Sequence, residues 1–470
     1  MPNFVLGPGN YTAQQTLTGG QYGVLSTSTS ALVVLVDAIV STGTSENDLI
    51  VNGFVASTLT GASAVDATGH GINIQVGPAG FLSSADGDTI KARVDSTFSL
   101  RNAGTIISQS DAVQATASDG GASMYFTNSG VIQARLQAVQ FDSGTVTSTL
   151  INSGTLISDA SIAVYHNYLA ASSGTAYFNN TGEVIGRAVS YSASVGTGAN
   201  IVSNSGKMVG DIYLGEGNDR YEGPDGVVNG LVRGEEDNDS LSGGIYADIF
   251  DGGSGDDLLV GRGGDDLLSG GSENDTLLGG AGNDLLDGGL DDDTLIGNGG
   301  DDTLSGSSDQ DLLLGQDGSD SLDGGAGNDT LEGGAGDDIL DGGSGNDVLR
   351  GRSGEDELAG GEGLDFLTGG QGADTFVFRA VTETPAGALR DQILDFEKGL
   401  DLITVAGLSP GVFEFRGTTA FDPSGNPELR LLETATGSTI VQMDTDGDGN
   451  ADAEIRVANV TGLTVDDFVL

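Results

Sequence analysis

The chain lacks several features that stabilise or locate many proteins of its size. Its 470 residues include no cysteine and no tryptophan. Without cysteine there are no disulfide bonds, so stability outside the cell has to come from another source. No run of about 18 apolar residues occurs, so the sequence predicts no membrane-spanning helix. The opening residues, MPNFVLGPGNYTAQQ, lack a basic segment followed by an apolar one, so we expect no cleavable signal peptide.

Positive charge is also scarce, with 17 basic residues against 69 acidic ones and a formal net charge of −52. Nucleic acids and anionic membrane surfaces are excluded as partners, because both would be repelled. Such acidity is typical of disordered chains, of halophile surfaces and of proteins that bind cations. The 80 glycines do not follow the three-residue period of collagen.

A nine-residue repeat fills residues 234–377 with sixteen consecutive copies in one register. Every copy has glycine at position 1 and aspartate at position 6, and position 8 is leucine or phenylalanine. Glycine permits the positive φ angles of tight turns. Calcium prefers six to eight hard oxygen ligands, which carboxylates and backbone carbonyls supply. The candidate metal ligands are the position-6 aspartates Asp239, Asp248, Asp257, Asp266, Asp275, Asp284, Asp293, Asp302, Asp311, Asp320, Asp329, Asp338, Asp347, Asp356, Asp365 and Asp374.

This pattern resembles GGxGxDxUx, the repeat of the RTX calcium-binding family, over about a third of the chain. The resemblance implies a parallel β-roll in which each nonapeptide forms half a coil. Loops 18 residues apart then stack on the same side and hold calcium ions between them. The expected cofactor is therefore Ca²⁺, with multiple ions per chain.

Charge arithmetic indicates why the repeat is so acidic. Residues 234–377 contain 36 acidic residues and three arginines, a net charge of −33. Sixteen half-coils offer at most about fourteen sites between coils, or a charge of about +28 when filled. Without calcium the carboxylates repel one another, and the glycine-rich backbone is costly to order. We therefore predict a roll that is unfolded without calcium and rigid with it.

Position 4 is glycine in most copies but not in all. The replacements are Asp237, Tyr246, Glu273, Asp291 and Asp309, four of which belong to odd-numbered copies. Aspartate tolerates a positive φ angle better than glutamate or tyrosine. We therefore predict weaker ion binding on the odd-numbered side between copies 5 and 9.

The N-terminal half repeats more loosely. Five similar segments have a central glycine, at positions 104, 130, 154, 182 and 206. They are RNAGTIIS, TNSGVIQA, INSGTLIS, NNTGEVIG and SNSGKMVG. The first four are followed by the apolar pairs Ala112-Val113, Ala138-Val139, Ala163-Val164 and Ala188-Val189. A period near 25 with two short strands per repeat predicts a parallel β-helix, with a β-sandwich and a low-complexity linker as alternatives. Stacked coils would align Asn102, Asn128, Asn152, Asn180 and Asn204 into a hydrogen-bonded ladder.

From Thr375 onward the glycine period gives way to strand-like runs that would cover the end of the solenoid. This segment resembles the C-terminal domain of serralysin-type secreted proteins in three places: GADTFVF, ILDFEKGLDLITV and the final TVDDFVL. That resemblance implies an uncleaved type I secretion signal and an extracellular or cell-surface location.

A second candidate metal site lies in DTDGDGNAD, residues 444–452. Asp444, Asp446 and Asp448 have the offsets of the first ligands of an EF-hand loop. The pattern departs from that loop where its bidentate glutamate should stand, because Ile455 occupies the twelfth position. A polar hairpin without an ion is the alternative interpretation.

No catalytic constellation stands out. HExxH, GxSxG and a nucleophilic cysteine are absent, and the chain has only two histidines. A polysaccharide lyase or epimerase could use a small set of polar and basic residues here. They are Tyr165-His166-Asn167-Tyr168, Lys91, Arg93, Arg135 and Arg187. The alternative is that these residues form a surface loop and a solvated stripe of basic side chains. The sequence therefore leaves enzymatic activity open, and we favour a non-enzymatic protein.

The sequence thus predicts an all-β solenoid with three parts: a β-helix in residues 1–212, a calcium-bound β-roll in 213–377, and a cap with a secretion signal in 378–470. We expect a secreted structural or adhesive surface protein, as in a surface layer, a filament or a biofilm matrix. Its partners would be calcium and either further copies of itself or a cell-surface glycan. The alternatives are a polysaccharide-acting enzyme and a monomeric glycan-binding adhesin.

Overall fold

Alternation of polar and apolar residues gives many strands of the computed structural model one buried face, as in Ile72–Val76. The residues described are 4–6, 15–18, 22–25, 32–34, 39–43, 47–51, 54–57, 63–69, 71–117, 122–143, 147–168, 174–193, 197–409 and 411–470. Contacts divide the chain into two units, Met1–Ser254 and Gly255–Leu470. Each unit is a parallel β-solenoid, as the repeats predict. The predicted boundaries at 212/213 and 377/378 stay predictions.

The first unit has two groups of parallel strands. The first group consists of Phe4–Leu6, Tyr22–Leu25, Asn47–Val51, Ile72–Val76, Thr97–Asn102, Ser123–Asn128, Thr147–Asn152, Ala176–Asn180, Asn200–Asn204, Arg220–Glu222 and Ser240–Ser242. The second consists of Gln15–Thr18, Leu32–Val34, Ile39–Gly43, Phe54–Ser57, Val65–Gly69, Phe81–Ser84, Ile90–Val94, Thr105–Ser108, Val113–Ala117, Val131–Ala134, Val139–Ser143, Thr155–Ser158, Val164–Tyr168, Glu183–Ala193, Lys207–Glu216, Val227–Asn229, Val232–Glu236 and Ile249–Ser254.

A coil of this β-helix contains three strands rather than the two predicted from the sequence. Thr97–Asn102, Thr105–Ser108 and Val113–Ala117 follow one another, and each pairs in parallel with the equivalent strand of the next coil. The strand that the prediction omitted precedes the Asn-x-Gly turn. Its Phe98 and Leu100 side chains are buried, while Thr97 and Arg101 on the other face are exposed.

The predicted asparagine ladder is confirmed. The Nδ2 of each asparagine donates a hydrogen bond to the Oδ1 of the next, at 2.8 Å in all four steps from Asn102 to Asn204. All five asparagines are buried. The glycines that follow them are needed for this close stacking, because a methyl group at Gly154 would lie 2.1 Å from the carbonyl oxygen of Gly130.

We expect the substitution Asn180→Ala to lower the free energy of unfolding of the first unit by about 2–4 kcal/mol. It removes the hydrogen bonds that join Asn180 to Asn152 and to Asn204 and the one that Asn180 Oδ1 accepts from Gly182 N–H, each worth about 0.5–1.5 kcal/mol. Urea unfolding of the full chain in saturating calcium measures the change. The control is Asn179→Ala at the neighbouring exposed residue, which should stay within about 0.5 kcal/mol of the unsubstituted protein. Equal effects of the two substitutions would contradict a structural role for the ladder.

The apolar pairs predicted from the repeat are partly confirmed. Val113, Val139 and Val164 are buried and aligned in successive coils. The fourth expected pair, Ala188-Val189, does not continue that series. A register shift in Glu183–Ala193 places Tyr191 opposite Val164 instead, and Tyr191 is fully buried.

The second unit also has two groups of strands. The first consists of Leu258–Gly263, Thr276–Ala281, Thr294–Gly299, Leu312–Asp317, Thr330–Ala335, Val348–Ser353, Phe366–Gln371, Gln392–Ile393, Glu414–Phe415, Glu428–Glu433, Thr439–Asp444 and Ala453–Val457. The second consists of Leu267–Ser272, Leu285–Gly289, Thr303–Ser308, Ser321–Ala326, Ile339–Asp341, Ser344–Gly345, Glu357–Ala359, Glu362–Gly363, Thr375–Val377, Leu402–Thr404 and Phe468–Val469. A short 3-10 helix spans Val465–Asp467.

Each nonapeptide in this unit forms half a coil. Thr276 pairs with Thr294 and Leu267 pairs with Leu285, so equivalent residues in stacked coils are 18 positions apart. The position-8 leucines from Leu259 to Leu367 point inward and are fully buried. They form the core of the roll, which confirms the fold implied by the repeat.

The C-terminal segment contains antiparallel strand pairs, unlike the parallel strands of the roll. Thr439–Asp444 pairs in antiparallel fashion with both Glu428–Glu433 and Ala453–Val457, and all six of its residues are buried. No helix among the described residues is long and apolar enough to cross a membrane.

Candidate calcium sites

The position-6 aspartates of the second unit form two carboxylate columns, one on each side of the roll. The odd column contains Asp257, Asp275, Asp293, Asp311, Asp329, Asp347 and Asp365, and the even column contains Asp266, Asp284, Asp302, Asp320, Asp338, Asp356 and Asp374. Their side chains are almost completely buried, with at most 3% of the surface exposed. Asp239 and Asp248 of the first unit are also buried.

One oxygen of these carboxylates is held by the backbone of the preceding coil. The amide N–H of each aspartate donates to the Oδ1 of the aspartate 18 residues later, at 2.7–3.1 Å. This bond orients all the carboxyl groups of a column alike. The other oxygen is therefore directed to the same place in every coil.

That second oxygen is buried without a hydrogen-bond partner in eleven of these residues. They are Asp275, Asp284, Asp293, Asp302, Asp311, Asp320, Asp329, Asp338, Asp347, Asp356 and Asp365. An isolated buried carboxylate oxygen is costly unless it is protonated or binds a cation. A repeated set of such oxygens therefore indicates cation binding.

The position-1 glycine completes the geometry. A methyl group at Gly306 would lie 2.3 Å from Asp311 Oδ2 and 2.7 Å from the carbonyl oxygen of Gly324. The two oxygens are therefore no more than about 5 Å apart. Two oxygens bound to one calcium ion at about 2.3–2.6 Å can be separated by up to about 5 Å. Carboxylate and carbonyl oxygens are also the donor set that calcium prefers, so these residues fit the ion implied by the repeat.

Burial raises the pKa of these carboxyl groups well above the usual range. The pKa of Asp275 rises to about 8, and those of Asp302 and Asp311 rise to about 7. Burial is the largest cause in each case. The hydrogen bond from the preceding aspartate opposes it, while neighbouring carboxylates of the same column add to it. A calcium ion would supply the positive charge that stabilises the ionised form.

The residues that replace glycine at position 4 have positive φ angles, with one exception, but these angles are smaller than the 106–146° of the position-4 glycines with positive φ. Asp237, Glu273, Asp291 and Asp309 have φ angles of 71–74°. Tyr246 is not among the residues with positive φ. The backbone therefore accommodates glutamate as well as aspartate at this position, and weaker ion binding near Glu273 stays a prediction.

Sequence analysis did not include Asp219 of the first unit among the candidate ligands. Asp219 is buried, and its N–H donates to Asp239 Oδ1 at 2.7 Å, as in the roll. Its own Oδ1 accepts a 2.6 Å hydrogen bond from the N–H of Asn200. The spacing of 20 residues, two more than in the repeat, puts Asp219 out of register, although GEGND at 215–219 carries the pattern.

The second candidate site differs in composition from its prediction. Carboxylate oxygens of Asp444, Asp446 and Asp452 lie within 4.8 Å of one another. Asp448 is not part of this group, and its Oδ1 instead accepts hydrogen bonds from Asn450. Asp452 occupies the ninth position of the loop, so the EF-hand offsets could have identified it. Asp444 already accepts hydrogen bonds from the N–H groups of Gly447 and Gly449 at 2.7 Å.

Among the residues considered for catalysis, the histidine is buried and inaccessible. His166 lies in a core strand rather than in a surface loop. Its ring stacks on Phe141 at 4.4 Å, and burial lowers its pKa to about 3. Arg135 and Arg187 are exposed, while Lys91 and Arg93 form ion pairs with Asp88 and Asp66. The Tyr168 side chain lies outside the described residues.

Comparison with known proteins matches the RTX calcium-binding nonapeptide repeat family to residues 233–268, 260–295, 269–304, 278–313, 314–349 and 350–378. No curated protein matches the chain. Among solved structures, the R3 subunit of the Azotobacter vinelandii mannuronan C5-epimerase AlgE6 is 26% identical. The alignment covers 35% of this chain and 78% of that subunit, with a TM-score of 0.26. The R2 subunit of that enzyme is 27% identical, over 37% of this chain and 91% of the subunit, with a TM-score of 0.23. Residues 233–378 are therefore RTX calcium-binding nonapeptide repeats.

Proposed function

We propose that the chain is a secreted structural or adhesive surface protein whose RTX roll folds when it binds extracellular calcium. The observation that carries the calcium-dependent part is the pair of carboxylate columns, in which eleven buried Oδ2 atoms have no hydrogen-bond partner. Metal binding to such a site supplies folding free energy, because the ligands are not assembled in the unfolded chain.

Secretion by a type I route is part of the proposal. Low calcium inside the cell would keep the acidic roll unfolded for export, and calcium outside would fold it. The RTX repeats support this order of events, because their ligand set has to be ionised and occupied to be stable. The resemblance of the C-terminal segment to serralysin-type proteins supports a secretion signal there.

A structural role is supported by how the two units are stabilised. Between Asn102 and Asn204 the first unit is held by an asparagine ladder and a largely apolar core, which need no cation. The second unit depends on a cation. His166, the only histidine among the described residues, is packed in the core where a polysaccharide cannot reach it. Self-assembly triggered by calcium is the activity that we expect from such a chain.

Electron microscopy of the purified full chain tests the proposal. Samples are incubated with millimolar calcium, with millimolar magnesium and with chelator. We expect sheets or filaments in calcium only, because magnesium binds all-protein oxygen cages poorly. Separate particles in calcium would contradict self-assembly. A glycan-binding assay followed by a glycan-cleavage assay would then distinguish the adhesin from the enzyme.

A further inference from the structure

Two degenerate copies of the nonapeptide lie beyond residue 378, where the family match ends. AGALRDQIL, residues 386–394, keeps the position-6 aspartate as Asp391 and the apolar position 8 as Ile393. FEKGLDLIT, residues 396–404, keeps Asp401 and Ile403. The position-2 glycine of the first copy has a φ angle of 117°, and the position-4 glycine of the second has a φ angle of 76°.

Both copies stack on the roll as further half-coils. Ile393 pairs with Leu367, and Ile403 pairs with Phe376. Both isoleucines are fully buried. The spacings are 26 and 27 residues rather than 18, because each copy is preceded by inserted residues that follow the last regular repeat.

The two aspartates also continue the hydrogen bonding of the columns. Asp365 N–H donates to Asp391 Oδ1 at 2.9 Å, and Asp374 N–H donates to Asp401 Oδ1 at 3.1 Å. Asp391 thus follows the odd column, and Asp401 follows the even column.

The second oxygens of these two aspartates differ. Asp401 Oδ2 accepts a 2.7 Å hydrogen bond from the N–H of Glu397, so this carboxyl group has a partner on both oxygens. Asp391 Oδ2 and Asp365 Oδ2 are buried and have no hydrogen-bond donor. The two carboxyl groups lie within hydrogen-bonding reach of each other, so a proton shared between them is the alternative to a cation. Both Asp365 and Asp391 are completely inaccessible to solvent. The nearby base Arg390 forms its ion pair with Glu454.

We infer that Asp391 and Asp365 bind a divalent cation, with calcium as the expected ion, at the junction between the last repeats and the C-terminal segment. The even column ends at Asp401 without a corresponding site, because that side chain is satisfied by the backbone. This inference rests on the proposed calcium binding of the roll. It adds one site whose second carboxylate comes from outside the repeats.

The site would link the cap to the roll. The backbone carbonyl of Asp391 accepts a 2.9 Å hydrogen bond from Arg456 N–H, in the strand Ala453–Val457. Thr384, also fully buried, accepts a hydrogen bond from Asp391 N–H and donates one to the carbonyl of Glu454. A cation at Asp391 therefore stabilises the position against which the C-terminal strands pack.

Native mass spectrometry of the full chain in calcium tests the inference with the variants D391N and D401N. The asparagine side chain in D391N keeps the acceptor for Asp365 N–H and removes only the charged oxygen, so this variant should fold and bind one calcium ion fewer than the unsubstituted protein. D401N is the matched control and should bind the same number of ions as the unsubstituted protein. An unchanged count in D391N, or equal losses in both variants, would overturn the inference. An unsubstituted chain that binds no calcium would instead overturn the proposed function.

Anomalous diffraction from crystals of the unsubstituted protein grown in calcium provides a measurement that needs no variant. We expect a calcium peak about 2.3–2.6 Å from the Oδ2 atoms of both Asp365 and Asp391. Peaks along the columns but none at this position would refute the site and leave the proposed function intact.

Discussion

In chelator at pH 7.5, amide hydrogens of residues 255–377 are expected to exchange with solvent at nearly the rate of an unfolded chain. Millimolar calcium should slow their exchange by at least a hundredfold. Peptides from residues 97–168 of the β-helix should stay protected in both conditions, because the asparagine ladder and the apolar core there need no cation. Hydrogen–deuterium exchange with mass spectrometry measures both regions in one sample, so the first unit is the internal control.

The physical reason is the state of the carboxyl groups at this pH. Burial raises the pKa of Asp302 and Asp311 to about 7 and that of Asp275 to about 8 in the folded roll, whereas the usual value is 3.8. A folded roll without calcium at pH 7.5 has to keep protons that the unfolded chain releases, or bury uncompensated charges. One pKa unit corresponds to a factor of about ten in the folding equilibrium for each group.

The sign of the pH dependence follows from these values. Because the folded-state pKa is above the unfolded one, the folded roll binds more protons, and its stability without calcium is highest below about pH 4. Stability should then fall as the pH rises from about 4 to about 8, by more than tenfold in the ratio of folded to unfolded roll. Calcium affinity should change in the opposite direction, because calcium binds the ionised form. Protection of the calcium-free roll that increases with pH would contradict this account.

The variant Gly297→Ala is expected to lower the folding equilibrium constant of the calcium-loaded roll by about tenfold. A methyl group at this position-1 glycine would lie 2.2 Å from Asp302 Oδ2. That carboxyl group cannot simply move away, because its Oδ1 accepts the N–H of Asp284 at 2.8 Å. Overpacking of this kind costs about 1–3 kcal/mol, and about 1.4 kcal/mol corresponds to a factor of ten.

The matched control is Gly299→Ala, two residues away in the same nonapeptide. Gly299 does not have a positive φ angle, and a methyl group there has no neighbour nearer than 3.9 Å. Its folding equilibrium constant should stay within about fivefold of the unsubstituted value, since the backbone flexibility of one glycine is all that changes. Urea unfolding of the roll in saturating calcium, followed by circular dichroism, gives both constants. Equal shifts in the two variants would show that the position-1 glycines do not shape the ion sites.

The strict repeats allowed much of this structure to be predicted from the sequence. Asp302 and Leu304 occur in a pattern repeated sixteen times, and the resemblance of that pattern to the RTX repeat implied the stacked half-coils that form the carboxylate columns and the leucine core. The asparagine ladder from Asn102 to Asn204 followed from the spacing of its repeat. In both cases one residue type recurs at one position of every coil, because the same contact is made in every coil.

Residues outside a fixed spacing were missed. Asp391 continues the odd column, and Asp219 bonds to Asp239 of the first unit in the same way, but insertions put them 26 and 20 residues from these neighbours instead of 18. Tyr191 replaces Val189 in the core because of a register shift that no local pattern shows. His166 is buried because its aromatic ring continues the stack of Phe141, and a histidine in a strand gives no sign of this by itself. The positions of these residues depend on contacts with residues that are distant in the sequence.

The most direct test of the account is a count of the calcium ions bound to the full chain. Protein stripped with chelator is returned to millimolar calcium and then freed of excess ion. Native mass spectrometry gives the number of calcium ions bound, and a protein assay gives the protein concentration. The account predicts roughly ten or more ions per chain, close to the limit set by the two columns. A chain that folds fully and holds no calcium, or only one or two ions, would contradict it, because the buried Oδ2 atoms of the columns would then be without cations.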